Sequence, residues 1–96
     1  MKNTFDISDF VNVPTIQATL TALTERVKKR RKELKLSQKL LSQKSGVSYA
    51  SVRRFESTGD IALVSLLKIA NVLNCLEDFN ALFGNKIITN LKDLKV

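Results

Sequence analysis

The sequence predicts an all-α domain: five helices between residues 14 and 84, an arm before them (1–13) and a short tail after them (85–96). Apolar residues recur at three- and four-residue intervals through most of the chain, which is the period of one helix face. The breaks are brief and well separated, because the three glycines (Gly46, Gly59, Gly84) stand apart and Pro14 is the sole proline. Ninety-six residues suffice for one domain with a modest core and are too few for two ordinary ones.

Residues 1–13 show no clear period, so they are read as an arm of unassigned conformation. Pro14 and Thr15 suit a helix start, since proline lacks a donor that the first turn leaves unused. Ile16, Leu20, Leu23, Val27 and Leu34 then form the apolar stripe of a first helix to about Lys35. Ser37 is placed to cap a second helix, Gln38–Ser45, and Gly46 to close it in the left-handed conformation. Ser48 is placed to cap a third, from Tyr49 to about Ser57, followed by the loop Thr58-Gly59-Asp60. Leu63, Leu66, Leu67, Ala70 and Leu73 mark a fourth helix. Leu76, Phe79, Leu82 and Phe83 mark a fifth, with Glu77 and Asp78 favourable in its first turn and Gly84 at its end. The tail is read either as a short strand through Ile87–Leu91 or as an unstructured end.

Charge is distributed unevenly. Between Glu25 and Arg54 eleven Lys/Arg stand against two acids, a local net of +9, which leaves −2 for the rest of a chain whose total is +7. A basic middle between slightly acidic ends points to a polyanionic partner, although a solvated helix face would look the same in sequence.

The third helix sharpens that choice. On a wheel of about 100° per residue, Val52 and Phe55 fall on one side, while Ala50, Arg53, Arg54 and Ser57 face the other and Tyr49 flanks them. Small residues permit close approach, arginines suit phosphates or the acceptor edge of guanine, and tyrosine can touch a thymine methyl. An ordinary basic surface helix remains compatible with the wheel alone. Spacing adds to it. Gln38, Leu41-Ser42, Gly46, Val47 and Val52 fall at positions one, four-five, nine, ten and fifteen of a twenty-residue unit. A small residue at five suits two helices crossing closely, a glycine at nine makes the turn, and an apolar residue at fifteen fills the corner.

Here the chain resembles the helix-turn-helix of phage repressors (lambda repressor) and Cro proteins, the xenobiotic-response-element type of bacterial regulator. The resemblance runs from about Ile16 to Phe83, through "RVKKRRKELKLSQ", "KSGVS", "RRFE" and "LLKIANVL". It implies a lambda-repressor-like DNA-binding domain over 14–84. It also implies a DNA-facing set of Gln38, Ser48, Tyr49, Ala50, Ser51, Arg53, Arg54 and Ser57, with Lys28 as general electrostatic support. Arg31 and Glu56 match a pair that ties the first helix to the end of the third, expected here as a partly buried ion pair. Gly46, Ser42 and Val52 are expected to be structural. Two positions depart from the pattern. Leu40 stands where a polar residue is usual, either as a tolerated exposed leucine or as a contact for a protein partner. Ala62 replaces a serine cap, which weakens the fourth helix start by about 1 kcal/mol.

Three functions are compatible with this reading. The first is a repressor of a palindromic operator. One short helix reads few base pairs, so a homodimer spanning half-sites about 34 Å apart is expected, through the fifth helix and tail. The second is an antitoxin that represses its own operon and binds a HipA-type kinase toxin; the end "LEDFNALFG…ITNLKDL" weakly resembles the tails of such antitoxins. The third is a protein-binding adaptor that keeps the fold without the DNA contact.

Other chemistry finds little support. Histidine is absent, and Cys75 has no partner at ligand spacing, so no metal, cofactor or catalytic residue is expected. No stretch reads as a membrane span or signal peptide, and a single cysteine offers no disulfide framework; a cytoplasmic location is the expectation.

Overall fold

A computed structural model describes residues 14–87. The expectations for the arm (1–13) and for the strand beyond Ile87 lie outside that range. The described residues form four α-helices, α1 (Ile16–Glu33), α2 (Gln38–Ser45), α3 (Tyr49–Thr58) and α4 (Leu63–Val72), and then a 3-10 helix (Leu76–Ala81).

Local chemistry accounts for most boundaries. The Thr15 hydroxyl accepts from Ala18 N at 3.0 Å, so Thr15 is the cap of α1, and Pro14 lies before the helix rather than in its first turn. The helix stops at Glu33, short of Lys35. Lys35 turns into the left-handed region (φ 59°), and Leu36 N donates back to Arg31 O at 3.1 Å, the six-to-one closure of a Schellman end. Ser37 accepts from Leu40 N and Ser48 from Ser51 N, which starts α2 and α3. The α2–α3 corner is closed by Gly46 (φ 79°), and the Ser42 hydroxyl donates across it to Val47 O at 2.6 Å. Ser42 therefore pins the turn as well as being small. Ala62 makes no side-chain cap bond for α4.

Packing is centred on α2, which lies against both α3 and α4; α1 packs on α3, and α4 meets the 3-10 helix. The core joins Leu41, Val47, Val52, Ile69 and Leu73, with Val27, Leu36, Ile61, Val72 and Cys75 against it. Phe55 is also buried.

Three sequence expectations need correction. Ile16 is 90% exposed and Leu34 lies outside the core, so both ends of the α1 stripe go unused. The reason is length: α1 packs on α3, and at 1.5 Å per residue α1 spans roughly 27 Å against about 15 Å for α3. On α4, Leu63 sits in the uncapped first turn and is exposed, while Ile69, absent from the expected stripe, is fully buried. The fifth element is a 3-10 helix that stops at Ala81. It starts at Cys75 without a side-chain cap, directly after left-handed Asn74, and its turns close through i→i+3 bonds such as Leu82 N to Phe79 O. Phe83 falls beyond it, with φ 61° and full exposure.

Candidate nucleic-acid interface

Val52 and Phe55 face inward from α3 and are essentially inaccessible, which turns the opposite side of the helix to solvent. Glu56 goes inward with them. Its carboxylate receives two bonds from the Arg31 guanidinium, Nε to Oε2 at 2.7 Å and Nη2 to Oε1 at 2.9 Å. Gln38 Nε2 adds a third, to Oε1 at 2.9 Å. Arg31 also donates through Nη1 to Leu36 O at 2.7 Å. One guanidinium thus joins α1, the α1–α2 turn and α3. The pair is buried, more deeply than the partial burial expected of it. Burial works to raise the Glu56 pKa. The hydrogen bonds from Arg31 and Gln38, with the positive charges of Arg31 and Lys28, outweigh it and hold the carboxyl below its ordinary value.

Above this buried carboxylate lies an open concavity. Lys28, Gln38, Ala50, Arg53, Arg54 and Ser57 line it, with Glu56 at its floor. Six residues chosen from sequence are thereby brought together. Ser48, Tyr49 and Ser51 stand apart from it, at the N-terminal end of α3. Ser48 and Ser51 engage each other, hydroxyl to hydroxyl at 2.8 Å, and Ser51 is half-buried.

Tyr49 is flanked by two cations. The Arg53 guanidinium sits 5.6 Å from the ring centroid and Lys39 Nζ 6.0 Å, both within cation–π range. Arg54 reaches the other way, with Nη2 2.7 Å from Asp60 Oδ2, and both side chains stay exposed. Sequence reasoning singled out neither Lys39 nor Asp60. The Tyr49–Arg53 spacing of four was a legible signal for that pair. Lys39 comes from another helix and Asp60 from a loop, so no periodicity marks them.

The paired short helices, the glycine corner and the exposed basic face correspond to one comparison finding. A family model described as Helix-turn-helix matches residues 27–79, more than half of the chain. The chain belongs to that family. It is a DNA-binding transcriptional regulator of the xenobiotic-response-element, lambda repressor and Cro type. Comparisons with curated proteins and with solved structures returned no match.

Within the regulator's match lie α2, α3 and α4 whole, with the C-terminal part of α1 (27–33) that carries Lys28 and Arg31. No helix among the described residues is long and apolar enough to cross a membrane. Among those residues no three His, Cys, Asp or Glu side chains gather at metal-binding range. Cys75 is half-buried and accepts from Arg30 Nη1 at 3.2 Å.

Proposed function

We propose that the regulator is a sequence-specific repressor that binds a palindromic operator as a homodimer, with α3 entering the major groove. The observation that carries this reading is the outward face of α3. It presents Tyr49, Ala50, Arg53, Arg54 and Ser57, while its inward face is fastened through Val52, Phe55 and the Arg31–Glu56 bonds. Docked helix and exposed basic face together are what a duplex groove requires. Arg53 and Arg54 carry donors for guanine O6/N7 or for phosphates, and Ala50 leaves room for close approach. Gln38 and Lys28 approach the backbone, Ser48 and Ser51 flank it, and Ser42, Gly46 and Val52 keep the corner rigid.

Dimerisation is proposed through the end of the domain. Leu76, Leu82 and Phe83 expose apolar surface there among the described residues, and a second copy would remove it from water. The same surface supports a second reading, an antitoxin that holds a kinase toxin there while repressing its own promoter. Leu40, 37% exposed at the start of α2, is a further apolar point for such a partner.

Selection of duplexes from a random library with the full chain tests the reading. Enrichment of a two-fold symmetric site, bound with the mass of a dimer, is expected. Recovery of unrelated sequences with one uniform affinity would overturn sequence specificity.

A further inference from the structure

Arg54 is tethered in the free protein. Asp60 Oδ2 lies 2.7 Å from its Nη2, and the placement of Asp60 is built from both sides. Gly59 supplies a left-handed turn (φ 84°) packed so closely on α1 that a Cβ there would meet Leu20 Cγ at 2.7 Å. The Thr58 hydroxyl donates to Arg54 O at 2.7 Å and accepts from Asp60 N at 3.1 Å. Backbone and side chains thus close a ring that begins and ends on Arg54. Exposed ion pairs contribute little to stability, so any consequence of this one lies in what the exposed face of α3 meets. An acid on this face also opposes every phosphate that approaches.

We propose that Asp60 is a specificity-determining positioning residue acting through Arg54, an inference that rests on the DNA-reading role given above to α3. Guanidinium carries five N–H donors in a rigid fork. The contact is an ion pair at one Nη, which biases where the exposed head rests and leaves its N–H donors available for a base edge that offers two acceptors. An untethered arginine would swing to the nearest phosphate on any sequence. The tether makes that swing costly, because it strands the carboxylate beside the DNA backbone. On the correct site water is displaced, the effective dielectric falls and the Arg54–Asp60 attraction strengthens. Asp60 thereby lowers affinity for arbitrary duplexes and raises the ratio of specific to non-specific binding.

The test compares two duplexes at one salt concentration: one selected from a random library by the unaltered protein, and a scrambled duplex of equal length and composition. Asp60→Ala, with Asp60→Asn as the near-isosteric second variant, is expected to tighten the scrambled duplex by about three- to tenfold. The specific-to-scrambled ratio should fall by about fivefold or more, with thermal unfolding unchanged. In an Arg54→Ala background the same Asp60 replacement should leave the ratio untouched, which a double-mutant cycle reads directly. Equal tightening on both duplexes would overturn the inference, and so would an undiminished effect without Arg54. If the unaltered protein does not distinguish the duplexes, the underlying reading of α3 fails, and that is seen before any variant is made.

Discussion

Arg31 and Glu56, twenty-five residues apart in the chain, meet through two parallel bonds of 2.7 and 2.9 Å in a nearly closed interior. The pair joins the long basic helix to α3, and the Gln38 bond brings α2 into the same junction. The outward face of α3 is therefore aimed by a polar lock as well as by Val52 and Phe55. A lock of this kind favours one arrangement of three helices, because shifting α1 or α3 strands a buried charge and shifting α2 takes a donor from it.

Removing one partner is expected to cost far more than removing both. Arg31→Met leaves the Glu56 carboxylate buried with Gln38 as its only side-chain donor among those observed, and should lower stability by about 3–5 kcal/mol. The double replacement Arg31→Met/Glu56→Met removes the stranded charge and should recover a substantial part of that loss. Urea unfolding measures both. A double variant no more stable than the single one would contradict the lock.

Acid should weaken the fold through the same carboxylate. The folded-state pKa of Glu56 lies below its ordinary value, so the unfolded chain takes up a proton at a higher pH than the native one. The resulting stability is complete above the ordinary glutamate pKa of about 4.3, and it is lost as pH falls through the lower folded value. Denaturation midpoints followed downward from pH 6 should decline across that window. Glu56→Gln, which has no proton to take up, should flatten the decline.

The two left-handed glycines should respond differently to alanine. Gly46 (φ 79°) has open space where a Cβ would go, so Gly46→Ala meets only the backbone penalty, about 1 kcal/mol. Gly59→Ala meets a similar penalty and also drives its methyl into the Leu20 side chain. A larger fall in melting temperature for Gly59→Ala is expected. The reverse order would mean that the Gly59–Leu20 approach has little influence on stability.

On DNA, Arg54→Ala is expected to weaken a selected site by about 1–3 kcal/mol if that side chain reads a base edge. Equal weakening on scrambled duplex would make it a phosphate contact instead. Lys28→Ala should weaken both duplexes alike and reduce the salt slope by about one. A titration against salt concentration separates the two behaviours, and an unaltered slope would place Lys28 away from the backbone.

Legibility varied with distance along the chain. Ser37, Ser48 and Gly46 bound α2 and α3 where the residue types indicated, since a cap or a left-handed turn acts on neighbours within a few residues. The wheel turns Val52 and Phe55 inward, and they are buried. Ile16 and Leu63 show where periodicity ran out. Both carry the apolar signal of a buried face, yet each lies near a helix start that no other described element covers.

By itself the sequence determined the all-α class, the Gly46 corner, the concentration of positive charge and the family resemblance. Each of these is local or compositional. Only the tertiary structure decided that Gln38 would donate to Glu56, that Lys39 would flank Tyr49 and that Asp60 would take hold of Arg54. Those contacts depend on how rods and loops are set against one another in space. No side chain encodes that setting alone, because a contact within a few ångströms arises only once the common core has fixed the elements that carry its two ends.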